Sequence, residues 1–450
     1  MKKLFLFFAA SALVVSAVAQ KPAVNPIPVK MKNNIKKVVG VNEVETNNAP
    51  AVIGRNSKSN APIFIGRSGN AYSSLLATSN FVSYEPTTGL LGFIHRGGPT
   101  VGTSSQIINS ISTNGGSVWD STMIVYNNVD FWGRYPSGGF WNPAGNTDPN
   151  NVYSIAVGPG LPGGSGWGAT YIGWKKMNGT AKNYVDEHGN AKRLDRNHFT
   201  ILPSGKMFFT GYAHEDDGTN YTKFHFGLTS ATLDAATDTL NQYSYLEVVP
   251  PFAKFGTDTL GAGGSSSAVA FNKTGTVGYY VFIGIRSDIA DPTTNLSYRP
   301  IVYKTIDEGL TWNIQPDFDF GTIASINQVL PGLAADTTKI VPLFKSIDDV
   351  VVDANDNLHI LSYILGQSTI DLDSLGYTWG WSSIEGIMYD TYMTGGGNWD
   401  ATIIDVQNTT DHDAANATDL DLDGRLQGGI SGDGKNIFYT WADSDPNNVT

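Results

Sequence analysis

Ser112-Thr113-Asn114-Gly115-Gly116-Ser117-Val118-Trp119 and Thr305-Ile306-Asp307-Glu308-Gly309-Leu310-Thr311-Trp312 share one pattern: a hydroxyl residue, an Asx two positions on, Gly at four and Trp at seven. The spacing has a physical reason. A hydroxyl and an Asx side chain accept hydrogen bonds from the backbone N–H groups of a tight turn, the glycine takes positive φ, and the tryptophan folds back under the hairpin. The positions that carry the pattern are Ser112, Asn114, Gly116 and Trp119, and Thr305, Asp307, Gly309 and Trp312. Each stretch is therefore expected to join two antiparallel strands.

Working outward, strand-turn-strand units recur. They read as Phe81–Tyr84 with a turn at Gly89 and Leu90–Ile94, Phe199–Leu202 with Gly205 and Met207–Tyr212, and Ala268–Phe271 with Gly275 and Val277–Ile283. Two more follow at Val350–Val352 with Leu358–Tyr363 and at Ile430 with Ile437–Trp441. Turns near 89, 205, 275, 356 and 434 stand 116, 70, 81 and 78 residues apart, and the long interval holds a sixth unit, Val152–Val157 and Ala169–Trp174 around a Pro/Gly loop near 163. A repeated hairpin that cannot bury its own face calls for radial stacking, so the expected fold is all-β, a β-propeller of about six blades over 71–450, with a pair of β-sandwiches as the alternative. Composition agrees: 50 Gly, 21 Pro and 11% aromatics against 16% charged residues suit many short strands joined by turns.

Residues 1–19 read as a signal peptide. Lys2 and Lys3 precede an apolar run, Leu4–Val18, and Ala17-Val18-Ala19 offers the small-x-small pattern for cleavage before Gln20. The run is shorter than the roughly 20 residues that span a bilayer. From 20 to 70 the chain is polar and rich in Pro, Asn, Lys and Ser, as in a disordered linker or pro-segment. A chain without cysteine that is exported cannot use disulfides, so its stability is expected from a large core or bound ions. The net charge of −12 argues against nucleic acid or an anionic membrane as partner. At the other end the chain stops directly after a strong strand, and a closed ring must return to its first blade, so the natural protein is expected to continue past Thr450.

The paired turns resemble the Asp-box (BNR repeat) of sialidase-like β-propellers. Together with the export signal and hairpins such as Gly432-Asp433-Gly434-Lys435-Asn436-Ile437-Phe438, the chain is similar to secreted propeller proteins that Bacteroidetes pass through the type IX secretion system. That resemblance implies a secreted or cell-surface location. It also implies that the boxes lie on the face away from the ligand. A sialidase-like enzyme would bring an arginine triad for a carboxylate, a Tyr/Glu nucleophilic pair and an Asp acid; Arg96, Arg286 and Arg299 stand at or just after strand-like segments, and Tyr298-Arg299-Pro300-Ile301 lies near the family's arginine signature in wording.

The ligand candidates come from Asp130-Phe131-Trp132-Gly133-Arg134-Tyr135-Pro136, continuing to Phe140-Trp141. Aromatic faces beside Asp and Arg are what sugar binding uses, ring against C–H groups and polar atoms against hydroxyls. Trp132, Arg134, Tyr135, Trp141 and Arg299 are the candidate ligand-binding residues. Asp419, Asp421 and Asp423, alternating before Gly424, read as an irregular calcium loop; Ile430 stands where an EF-hand needs its bidentate Glu. Gly158-Pro159-Gly160-Leu161-Pro162-Gly163 matches a dinucleotide fingerprint only as a string, because Pro162 and the glycines after it forbid the helix that would hold a pyrophosphate.

The function expected from these features is a secreted or cell-surface binder of a glycan or an extracellular protein. A sialidase-like glycoside hydrolase is the alternative, and a structural module of a surface assembly the third reading. No catalytic residue is assigned.

Overall fold

The computed structural model describes residues 63–69, 79–98, 101–119, 121–164, 166–189, 192–195, 197–216, 221–255, 259–260, 262–288, 297–330, 332–333, 336, 338–367, 387–406 and 425–441. The expected signal peptide and calcium loop lie outside these residues, as does the end of the chain.

The protein is a β-propeller. Sheet I is Val82–Glu85, Leu90–Arg96, Ile107–Ser112 and Ser121–Tyr126, hydrogen-bonded in chain order. Sheet II runs from Phe131–Gly133 and Ser137–Trp141 through Tyr153–Pro162 and Ala169–Lys176 to Lys182–Glu187. Sheet III begins with Arg193–Leu194 and Phe199–Ile201 and continues with Lys206–Asp216, Tyr221–Asp234 and Thr239–Val248. Sheet IV is Ala262–Phe271, Gly278–Gly284, Arg299–Thr305 and Asn313–Ile314. Sheet V is Pro342–Phe344 and Asp349–Val352, then Leu358–Gly366, Ile387–Met393 and Trp399–Val406. Sheet VI has two described strands, Gln427–Ile430 and Ile437–Thr440.

The alternation of side chains along each strand decides how these sheets stack, because successive residues face opposite neighbours. Met207 and Phe209 pack with Trp141, Ile155 and Trp174 of sheet II, whereas Phe208 between them packs with Tyr280 and Phe282 of sheet IV. Sheet IV repeats the device: Tyr280 and Phe282 face sheet III, while Tyr279, Val281 and Ile283 join Val350, Ile360 and Tyr389 of sheet V. Ile94, Ile107 and Tyr126 of sheet I meet Phe140 and Tyr171 of sheet II, and Leu361 and Met388 of sheet V meet Leu426 of sheet VI. The core is thus five apolar layers, one between each pair of consecutive sheets. Every fully buried Phe or Leu in them contributes about 1.5–3 kcal/mol. Among the described residues no such layer joins sheet VI to sheet I; Val82 and Tyr84 on the first sheet and Phe438 on the sixth are each about 60% exposed.

Four of the expected turns have glycine at positive φ, Gly89, Gly205, Gly275 and Gly434, and the fifth has Asp356 there. The unit read around residue 163 differs from the others. Its two strands are the second and third of sheet II, and the first strand lies upstream at Ser137–Trp141, joined by residues 142–152. That connection is eleven residues long, with Pro143, Pro149 and a glycine turn at Gly145 inside it, so the first strand lies far from the second in sequence.

Candidate functional site

The chain direction gives the ring two ends. One holds the turns between first and second strands and between third and fourth strands, including both hydroxyl–Asx turns. In the turn of sheet IV, Thr305 Oγ1 donates to Asp307 Oδ1 (2.7 Å) and accepts from Gly309 N (3.0 Å). Asp307 also accepts from Leu310 N, Thr311 N and Thr311 Oγ1, and these bonds hold its carboxyl down at about 2. In sheet I, Ser112 Oγ donates to Asn114 Oδ1 and accepts from Gly116 N, and Gly116 has φ 87°. Trp119 and Trp312 are half-buried, and Trp312 sets its edge against Phe208, Phe271 and Tyr280.

At the opposite end, the first strand of sheet II is broken. Phe131–Gly133 and Ser137–Trp141 both pair with Tyr153–Pro162, and Arg134-Tyr135-Pro136 bridges them off the ladder. Pro136 has no N–H to give the sheet, and Tyr135 holds φ 40°, a left-handed conformation unusual for an aromatic residue. Close approach is needed here: a Cβ on Gly158 would lie 2.6 Å from the Arg134 carbonyl oxygen and 2.9 Å from that of Tyr135.

The break gathers an aromatic platform. Trp132 is 38% exposed, anchored by its Nε1 donating to Val129 O at 3.2 Å. The Arg134 guanidinium carbon lies 5.5 Å from the centre of the Trp132 ring. Tyr135 stacks on Trp167 with centroids 5.6 Å apart and planes 25° from parallel. Arg134 Nη1 donates to the carbonyls of Gly133 (2.9 Å) and Ser104 (3.4 Å), and Arg96 Nε donates to that same Ser104 oxygen at 2.8 Å. Burial pushes Arg96 down to about 10, with the Arg134 charge acting in the same direction, so both remain cationic at neutral pH. The platform therefore offers ring faces and a fork of N–H donors on one side of sheet II.

Two of the expected ligand residues lie elsewhere. Trp141 stands at the other end of the same strand, buried, with Nε1 donating to Pro203 O at 3.4 Å in a turn of sheet III. A residue six positions from a strand's far end shares its sheet but not its mouth. Arg299 opens the third strand of sheet IV, 1% exposed and paired with Asp317 at 2.7 Å. Arg286 is paired with Asp288 at 2.7 Å and, like Arg299, acts electrostatically on Asp317, whereas Arg96 stands on sheet I, so the three do not form one triad. Trp167 belongs to the platform and was not singled out from sequence; its signal is a tryptophan set between glycines, Gly166-Trp167-Gly168.

Polar contacts tie the first strands together near the axis. Asn80 Oδ1 accepts from Phe199 N (2.7 Å), and Asn80 N donates to Ser137 Oγ (2.7 Å), tying sheets I, II and III. His198 Nδ1 lies 3.4 Å from Asp349 Oδ1, and Asp349 Oδ2 accepts from Gly428 N at 2.8 Å, tying III, V and VI. All of His198, Asp349 and Ser137 are buried, and burial raises the Asp349 carboxyl above its ordinary value. The platform thus lies off the axis, beside first strands held together by buried polar contacts. Asp419, Asp421 and Asp423 are outside the described residues, among which no group of three His, Cys, Asp or Glu is placed to hold a metal ion. Among the same residues no helix is long and apolar enough to cross a membrane.

The fold and the platform define an off-axis propeller site, and comparison with known proteins adds little to that description. No protein-family model matches the chain, and no curated protein matches it. Among solved structures it is similar to the Hadza microbial sialidase Hz136, at 12% identity over 72% of this chain and 58% of that one, with a TM-score of 0.35. It is also similar to the polysaccharide lyase Uly1 (10% identity, 76% of both chains, TM-score 0.38) and to the calcium-binding protein regucalcin from Agrobacterium tumefaciens (11% identity, 75% and 76%, TM-score 0.33). The chain spans less than two thirds of the sialidase's length. At these identities and TM-scores the likenesses carry no argument about activity.

Proposed function

We propose that the protein is a secreted or cell-surface propeller that binds a glycan on the platform of Trp132, Arg134, Tyr135 and Trp167. The observation that carries this reading is the exposed Trp132 ring beside a guanidinium and a second aromatic pair. Sugars present C–H faces to rings and hydroxyls to charged forks, and the platform supplies both on rigid strand ends. The cost of ordering the site on binding is kept low because Tyr135 and Trp167 are already stacked.

No carboxylate among the described residues bonds Arg134, which leaves its guanidinium beside the ring to meet a ligand's polar groups. The test is retardation of the purified chain in gels cast with a panel of polysaccharides, alongside a panel of chromogenic glycosides. Retardation by at least one glycan that is lost in Trp132→Ala supports the reading. A folded protein that no glycan retards refutes it, and turnover of a glycoside would replace binding with hydrolysis.

A further inference from the structure

We infer that the glycan is anionic, its carboxylate or sulfate seated on Arg134 while a neighbouring ring stacks on Trp132. This inference rests on the platform being the glycan site.

Three observations carry it. First, among the described residues the side-chain bonds of Arg134 are both made by Nη1 and both go to backbone carbonyls, Gly133 O and Ser104 O. Its Nε and Nη2 are left for another acceptor. Second, Arg96 and Arg134 direct donors at one oxygen, that of Ser104, and Arg96 adds a bond to Ser104 Oγ at 2.5 Å. Two guanidinium groups thus share a carbonyl at a partly desolvated strand end, an arrangement that an oxyanion relieves directly. Third, the phenols around them do not supply negative charge: Tyr171 is fully buried, with its acidity suppressed by that burial, and Tyr126, stacked on it at 4.2 Å, is raised too. The site is a local cationic spot on a chain whose net charge is −12, so it stands out electrostatically to an anion approaching this end.

Arginine elsewhere at this end is used differently. Arg193 is held by Asp186 (3.0 Å) and Asp195 (2.7 Å), Arg286 by Asp288 and Arg299 by Asp317. Among the described residues Arg134 has no such carboxylate, and it is the arginine beside the exposed tryptophan.

Carboxylate and sulfate present the same chemistry to a guanidinium fork, so the probes must separate them. Affinity electrophoresis with polygalacturonate, chondroitin sulfate and neutral galactan, at low and high NaCl, would compare the wild type with Arg134→Gln, Arg134→Lys and Trp132→Ala. The expected result is that one or both acidic polymers retard the wild type roughly tenfold more strongly than galactan, with the difference shrinking in salt. Arg134→Gln should remove that preference, and Arg134→Lys should retain part of it because the charge stays while the fork is lost. Trp132→Ala should weaken whatever binds. Equal binding of galactan, unchanged by Arg134→Gln but lost with Trp132→Ala, overturns the anionic inference and leaves the glycan site standing. Acidic binding indifferent to both Arg134 and Trp132, or no retardation of a folded wild type by any polymer, overturns both.

Discussion

Replacing Trp132 by alanine isolates the ring's contribution to binding. The side chain is 38% exposed, and a tryptophan offers up to about 250 Å² of surface, so roughly 95 Å² remains for a ligand. A stacked sugar covering two thirds of that area removes some 60 Å² of apolar surface from water, worth about 1.5 kcal/mol at ~25 cal/mol per Å². The affinity of a glycan that retards the wild type should then fall about tenfold. Stability should fall too, by roughly 2–4 kcal/mol on the same area scale, because more than half of the residue is buried against its neighbours, so affinity is compared per folded molecule. Isothermal titration of the glycan into both proteins, with melting curves as the control on folding, reads both quantities. A folded variant that binds the same glycan with unchanged affinity would refute the platform.

Further outcomes follow from the same geometry. Gly158→Ala should weaken glycan binding while leaving most of the secondary structure, since its methyl would press on the carbonyls of Arg134 and Tyr135; titration against the same glycan checks it. Trp141→Ala should instead cost about 3–5 kcal/mol of stability in denaturant titration, with affinity per folded molecule unchanged. Asp307→Ala should remove about 1 kcal/mol, less than its bonds suggest because the carboxylate is largely open to water. Its pH signature has a definite sign: the folded carboxyl sits at about 2, below its unfolded value near 4, so its contribution is complete above pH 4 and is lost as pH falls toward 2. Acid melting of the wild type should therefore lie steeper than that of Asp307→Ala across this interval. Calcium is expected to raise the melting temperature and Asp421→Ala to abolish the rise; an unchanged melting temperature at saturating calcium would remove the calcium expectation.

The architecture was legible in the sequence for a physical reason. A turn that needs positive φ needs glycine, and a strand facing two neighbours needs apolar residues in near-continuous runs such as Met207-Phe208-Phe209 and Tyr279-Tyr280-Val281-Phe282. The site was legible in part. The run from Trp132 to Tyr135 is local, and one broken strand presents it together. Trp141 was misplaced because the run continues into a strand whose ends lie at opposite faces of the ring. The axial contacts were beyond sequence reading: Asn80 meets Phe199, and His198 meets Asp349, across separations that only ring geometry brings together. Arg299 looks available in the sequence, yet Asp317, 18 residues away, returns beside it.

Among the described residues the apolar layers couple each sheet to its nearest neighbours, and the axial bonds of Asn80 and His198 add ties from sheet I to III and from III to V. In such an array an inner sheet must break two interfaces to open, and an end sheet only one. Sheet VI, held among the described residues by the smallest of the apolar clusters, should therefore exchange its amide hydrogens at a free energy below that of sheets III and IV. The platform on sheet II lies one unit in from the opposite end, where sheet I stands. Unzipping that begins at sheet VI must cross four interfaces before it reaches Trp132.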